Sequence, residues 1–416
     1  MSKYIIEGGH PLFGTVDVQG AKNAVLPIFA ACVLTKSDVV IRRVPDLADV
    51  VSMENILKNL GVKVKKEGNV RVLSAKNMDS DNIPNELAKE LRSSVFLLGS
   101  VIGRMKSAQV AYPGGCDIGL RPIDIHIKGL RDLGVVIEER AGYLFCDGSN
   151  MRGGEVVLDY PSVGATENVM LAAVLTEGET VVRNAAREPE IVDLQNFLVS
   201  LGALVKGAGT SEIHIRGVKE LCGADYNVMP DRICLGTWLL AAASCGGEVA
   251  LKGGRKAEIY SLLCKLDKSS CHIQEDNGII IIRATGEPVC SERISTRPYP
   301  GFPTDLQAQY CAYASAARGT CVVTENIFEN RFRHVPELIK MGADITVRDR
   351  VAVIKGAGCL SGAEVTARDL RGGAALVIAG LVARGTTVID DIRHIDRGYE
   401  AMEKTLSNIG AKIERI

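Results

Sequence analysis

Apolar residues along the chain follow one pattern again and again. A Leu-x-x-Leu-Gly run is followed by a short apolar alternation. It occurs at Leu57–Gly61, Leu130–Gly134 and Leu198–Gly202, then with Met341 at Leu338–Gly342 and with Ile409 at Leu406–Gly410. A decayed copy at Leu263–Asp267 has Asp in place of the glycine. Leucines three apart share one helical face, and a glycine after the last turn supplies a left-handed cap. The alternation beyond it reads as a strand. Six copies spaced 65 to 75 residues apart exceed the period of common solenoids, roughly 20–50 residues. They predict a small α/β unit used six times.

A second landmark keeps the same period. The β-branched runs KSDVVI, KSAQVA, EGETVV, GGEVAL, RGTCVV and RGTTVI each follow an apolar helical stretch. Those stretches open at 20–31, 90–102, 162–175, 230–243, 303–316 and 369–383. Five of the six openings carry charge: Lys22, Arg92, Asp231 with Arg232, Asp305 and Arg371. A helix start already presents unpaired N–H groups and a positive dipole end, so a basic residue there opposes the dipole. Three basic openings point to anion binding. Gathered in two threes, these helix starts would face one another across a cleft.

Composition narrows the classes. The chain has 416 residues, more than one ordinary core, and a net charge of −1 from 49 Lys+Arg against 50 Asp+Glu. That balance argues against a nucleic-acid-binding surface. No apolar run approaches the roughly 20 residues of a membrane span, and no signal-peptide pattern opens the chain. The sequence reads as a cytoplasmic protein. Its 12 cysteines include no C-x₂₋₄-C pair, so metal-cluster ligation is not expected and most should be reduced core residues. His126 and His394 lack metal-ligand spacing and read as structural hydrogen bonders. No P-loop, dinucleotide fingerprint or H-E-x-x-H motif is present.

The segment YPGGCDIGLRPIDIHIKGL, 112–130, carries the candidate chemistry. Pro113-Gly114-Gly115 interrupts regular structure and places Cys116 on a loop with Arg121 nearby. A thiol in that setting is open to three roles, nucleophile, acid or incidental surface group. Lys22, Arg121 and Arg397 lie in short glycine-containing loops and suit phosphate or carboxylate. Asp305, after Gly301-Phe302-Pro303-Thr304, is open to a helix-capping role or a functional one.

These motifs together resemble the UDP-N-acetylglucosamine 1-carboxyvinyltransferases, relatives of the enolpyruvylshikimate-phosphate synthases. The resemblance is carried by GAKNA, PGGCDIGLRPIDIH, SVGAT, NAAREPEIVD, PDRI, FPTDLQAQ, ENRFRHVPEL and HIDRGYE, and spans the chain. It implies an inside-out α/β barrel fold: two similar domains, 20–229 and 1–19 with 230–416, each of three βαβαββ repeats, with the active site in the interdomain cleft. It also implies transfer of enolpyruvyl from phosphoenolpyruvate to the sugar 3-hydroxyl with release of phosphate. Cys116 would be the acid that also forms a covalent adduct, Asp305 the base, and Lys22 a third catalytic group. Phosphoenolpyruvate would meet Lys22, Asn23, Arg121 and Arg397. The nucleotide sugar would meet Asn23, Arg92, Arg121, Pro122, Asp124, Ile125, Ser162, Val163, Asp305 and Ile327. No metal, organic cofactor, nucleic acid, membrane or obligate protein partner is implied. The loop cysteine implies alkylation by fosfomycin. One departure is Tyr160, where many relatives carry a basic residue. The alternatives are a shikimate-phosphate enzyme of the same fold and a silent UDP-sugar-binding regulator. A third, an RNA-end-processing enzyme, is disfavoured by the charge.

Overall fold

A computed structural model describes residues 2–83, 95–111, 123–267, 269, 271–356 and 358–416. The described residues form two compact units. Of these, a flanking unit comprises the described residues up to Gln19 and from Pro230 to Ile416, and an inserted unit those between Gly20 and Met229.

The described strands make six four-stranded sheets. One of them shows the plan. The strand Glu155–Val157 leads through the helix Val163–Ala173 to the strand Glu179–Arg183. The helix Pro189–Ser200 then leads to Leu204–Lys206 and Glu212–Arg216. The first two strands pair parallel and the last two antiparallel. In Glu212–Arg216, Ile213 and Ile215 are buried while Arg216 is exposed, the period-two pattern of a sheet wet on one face.

Two sheets close on a distant piece of chain. Asp225–Asn227, at the end of the inserted unit, pairs parallel with Asp38–Arg42 at its beginning. In the flanking unit the N-terminal strand Tyr4–Glu7 lies between Thr386–Asp390 and Lys412–Arg415.

The first helix of each repeat is the more apolar one. We number these α1 (Lys22–Ala31), α2 (Phe96–Met105), α3 (Val163–Ala173), α4 (Arg232–Cys245), α5 (Gln307–Ala316) and α6 (Leu370–Val382). Beyond their first residues they are buried on nearly every side. A helix apolar all round belongs inside a core. Inserted-unit and flanking-unit helices contribute to two separate hydrophobic clusters. No described helix is long and apolar enough to cross a membrane.

The glycine stops are as expected. Gly61, Gly134, Gly202, Gly342 and Gly410 all have φ between 89° and 99°. There a β-carbon is disfavoured. Asp267, the decayed copy, has φ of −59° and stays right-handed. That repeat therefore ends its helix without the left-handed turn, which is why it tolerates aspartate.

Candidate active site

In the flanking unit, Asp305 sits in the single 3-10 turn Thr304–Leu306 that leads into α5. Its carboxylate caps neither this turn nor α5, so the capping reading is set aside. Instead Arg331 Nη2 donates to Oδ1 at 2.7 Å and Arg371 Nη2 donates to Oδ2 at 3.0 Å. The two arginine side chains are 4% and 5% exposed, whereas Asp305 is 27% exposed. The cations are thus set into the protein and the carboxylate is presented outward. Arg331, within the ENRFRHVPEL motif, is half of this cradle.

The turn is held by a buried carboxylate that pattern reading missed. Glu325 is fully buried. It accepts from Thr304 Oγ1 at 3.0 Å and Thr296 Oγ1 at 2.9 Å. It also accepts from the backbone N–H groups of Ile327 at 2.8 Å and Phe328 at 3.1 Å. Four donors satisfy a buried charge that would otherwise be costly. Glu325 therefore positions both Asp305, through Thr304, and the backbone at Ile327.

The starts of α4 and α6 in this unit are capped by aspartates. Asp231 accepts from Ile233 N and Cys234 N at 2.8 and 2.9 Å, and Asp369 accepts from Arg371 N and Gly372 N at 3.0 and 2.9 Å. Arg232 lies over the Tyr299 ring at 5.6 Å. Arg397 ends the 3-10 helix Ile392–Arg397 and is half-buried. The backbone just beyond it is pinned by Gln19, which donates to Gly398 O at 3.1 Å and accepts from Glu400 N at 2.9 Å.

In the inserted unit, Lys22 opens α1 and pairs with Asp49 at 2.5 Å, both nearly buried. The basic openings of α1 and α6 thus each arrive with a carboxylate, which offsets their conflict with the helix dipole. Asn23 follows Lys22 on the first turn and is half-buried. Ser162 caps α3, its Oγ accepting from Ala165 N at 3.3 Å, and Val163 is the first residue of the helix. Asp124 and Ile125 open the helix Asp124–Asp132, Asp124 exposed and Ile125 half-buried. Tyr160 is 41% exposed in the approach to Ser162.

His126 on that helix is buried, and its protonation can be worked out. Asn168 Oδ1 accepts from Gly99 N at 2.5 Å, so Nδ2 is the donor that faces Val95 O at 3.0 Å and His126 Nδ1 at 3.1 Å. Nδ1 accepts, hence the ring is neutral with its proton on Nε2. Burial lowers its pKa to about 4, against a smaller opposing pull from Asp124. The structural hydrogen-bonding role read from the sequence is the one observed.

A further feature has no counterpart in that reading. Glu167 on α3 is 1% exposed, with neither carboxyl oxygen hydrogen-bonded. Burial, then Glu190, then Glu188 push its pKa well above the usual carboxylate value. A charged letter inside an apolar helix was the available signal. Of the cysteines expected to be core residues, Cys222 and Cys264 are exposed. Arg92, Cys116, Arg121 and Pro122 lie outside the described residues. Among those described, no group of three His, Cys, Asp or Glu is placed to hold a metal.

Residues 6–406 match the family model of EPSP synthase (3-phosphoshikimate 1-carboxyvinyltransferase). Among curated relatives, UDP-N-acetylglucosamine 1-carboxyvinyltransferase 2 of Caldanaerobacter subterraneus subsp. tengcongensis is 52% identical over 416 residues, all of both chains. The protein of the same name from Carboxydothermus hydrogenoformans is 48% identical over 419 aligned positions, again covering both chains fully. Among solved structures, the enolpyruvyl transferase NikO from Streptomyces tendae superposes with a TM-score of 0.89 at 22% identity, covering 100% of this chain and 98% of that one. An EPSP synthase from Acinetobacter baumannii gives 0.75 at 19% identity, covering both chains fully. At those identities the two structures establish the fold.

Proposed function

The chain belongs to the EPSP synthase family, and from that premise we propose that it transfers the enolpyruvyl group of phosphoenolpyruvate to the 3-hydroxyl of UDP-N-acetylglucosamine. The observation that carries this reading is the full-length match, at 52% identity, to a relative named for that reaction. The inside-out barrel arrangement of each unit is part of the same proposal.

The reaction is an addition followed by an elimination. The sugar oxygen bonds to C2 of phosphoenolpyruvate while C3 takes up a proton, giving a tetrahedral intermediate. Loss of phosphate from C2 and of a proton from C3 then forms the enol ether. No electrons are gained or lost, so the reading requires no redox cofactor. A base must accept the hydroxyl proton and an acid must supply C3. We assign the base to Asp305, whose outward-facing carboxylate is oriented by Arg331 and Arg371. We assign the acid to Cys116, which also bonds to C2 through sulfur in a covalent adduct. Lys22, Asn23, Arg121 and Arg397 would hold the phosphate and carboxylate and stabilise charge in the intermediate. Arg92, Pro122, Asp124, Ile125, Ser162, Val163 and Ile327 would line the nucleotide sugar. The product is the first committed precursor of peptidoglycan. All eleven described cysteines are free thiols, in keeping with a reducing compartment, and we place the enzyme in the cytoplasm.

Phosphate release from phosphoenolpyruvate, with and without UDP-N-acetylglucosamine, tests this in wild type and Cys116→Ala. Release should need the nucleotide sugar and collapse in the variant. Release driven by shikimate 3-phosphate would move the chain to the sister activity, and tight sugar binding with no release would make it a regulator.

A further inference from the structure

Arg371, which holds one oxygen of Asp305, is itself held from behind. Its Nη1 donates to the hydroxyl of Tyr399 at 3.4 Å. Tyr399 is 1% exposed and lies two residues after Arg397, with the Trp238 ring packed edge-on at 6.1 Å. Its hydroxyl is also 2.8 Å from Thr237 Oγ1 and 3.1 Å from Gln309 Nε2.

Counting protons gives each bond a direction. Thr237 has one hydroxyl proton, and it goes to Ile233 O at 2.8 Å. Between Tyr399 and Thr237 the phenol must therefore donate. With its proton committed, the phenol oxygen accepts from Gln309 and from Arg371. Gln309 is fixed by the same logic. Its Nε2 faces the backbone carbonyl of Asp305 at 2.9 Å, and a carbonyl can only accept, so the amide cannot turn its oxygen that way. Two paths thus lead from Asp305 to one buried oxygen. One runs from its backbone through Gln309, the other from its carboxylate through Arg371. Burial, against the opposing pull of Arg371, pushes the Tyr399 phenol up to about 12, so at neutral pH its proton stays in place.

We infer that Tyr399, backed by Thr237 and Gln309, is a positioning residue that sets the direction in which Asp305 faces the acceptor hydroxyl. The inference rests on Asp305 being the base. A catalytic carboxylate tolerates little angular error, because proton transfer requires hydrogen-bond geometry with the reacting group. Without the phenol oxygen, Arg371 Nη1 loses an acceptor inside the core and the guanidinium can swing.

Steady-state kinetics of the full-length enzyme with phosphoenolpyruvate and UDP-N-acetylglucosamine test this. The variants are Tyr399→Phe, Thr237→Val and Thr237→Ser, with Asp305→Asn as reference. Tyr399→Phe and Thr237→Val should each lower kcat about tenfold, the scale of leaving one buried donor without its acceptor. Both KM values should change much less than kcat, since every substrate contact but that of Asp305 is left as it was. Thr237→Ser, which keeps the hydroxyl, should restore kcat. A wild-type kcat in Tyr399→Phe overturns the inference, as does a Thr237→Ser that is as slow as Thr237→Val, because volume and not the hydroxyl would then matter. Should Tyr399→Phe fold poorly, the Thr237 pair still decides. An active Asp305→Asn would remove the base assignment itself, a failure distinct from a normal Tyr399→Phe beside an inactive Asp305→Asn.

Discussion

Lowering the pH should loosen the inserted unit through His126, by an amount the structure allows to be worked out. In the folded chain this ring accepts a hydrogen bond from Asn168 at 3.1 Å, and its pKa is lowered from 6.5 to about 4, first by burial. The unfolded chain therefore takes up a proton between those two values that the folded chain refuses. A depressed folded pKa means that stability is full above pH 6.5 and drains away as the pH falls toward about 4. At pH 5 the unfolded imidazole is almost wholly protonated and the folded one about a tenth so. Between pH 7 and pH 5 the linkage integral comes to about 2 kcal/mol. His126→Gln keeps an acceptor for Asn168 but cannot titrate. The substitution has its own cost, which cancels when each protein is compared with itself at two pH values. Hydrogen exchange read by mass spectrometry over Phe96–Met105 and Val163–Ala173 would report the opening free energy of this unit, corrected for intrinsic rates. Wild type should lose about 2 kcal/mol more than His126→Gln between pH 7 and pH 5. Equal losses would refute the neutral-ring argument. His334, whose pKa is likewise lowered to about 4 chiefly by burial, contributes the same sign in the flanking unit and cancels from the comparison.

Glu167 should act in the opposite sense. Its raised folded pKa means the folded chain keeps a proton that the unfolded chain releases, so wild-type stability falls as pH rises above about 4.5, by up to ~1.4 kcal/mol per unit. Urea midpoints compared at pH 5 and at pH 7 should show Glu167→Gln gaining on wild type as the pH rises, and parallel behaviour would count against a buried neutral acid. At Gly99 a β-carbon would lie 2.1 Å from Asn168 O and 2.6 Å from its Oδ1. Gly99→Ala should therefore destabilise by about 3 kcal/mol or fail to fold, and an unchanged thermal midpoint would contradict that packing. Fosfomycin should add once to the chain, at Cys116, and intact mass spectra of active enzyme without the adduct would argue against a reactive thiol there.

What could be read in advance was local. Leucine pairs three apart and the glycines after them mark helix ends because both signals lie within one turn. All five glycine copies took the left-handed conformation, and the aspartate copy did not. Asp225–Asn227 is only three residues long, too short for an alternation to register, so the closing of the inserted unit's first sheet was not legible. The partners of the charged helix starts were hidden for another reason. Lys22 meets Asp49, and Arg371 meets Asp305 across 66 positions of chain. No periodicity encodes a contact of that kind. The same holds for Glu325, whose donors Thr296 and Thr304 lie 29 and 21 positions away, and for Tyr399, which takes its role from helices far away in sequence. Residue types in motifs singled out Lys22 and Asp305, while the partners behind them emerged only from packing.

The placement of Tyr4–Glu7 between Thr386–Asp390 and Lys412–Arg415 bears on how the molecule is made. On the ribosome, where domains tend to fold from the N-terminus onward, this strand emerges well before both of its partners. The inserted unit, whose own ends meet at Asp225–Asn227 and Asp38–Arg42, has its full sequence once Met229 is out. The flanking unit must hold Tyr4–Glu7 unpaired through synthesis of the intervening chain, and that sheet is complete only once Lys412–Arg415 has emerged.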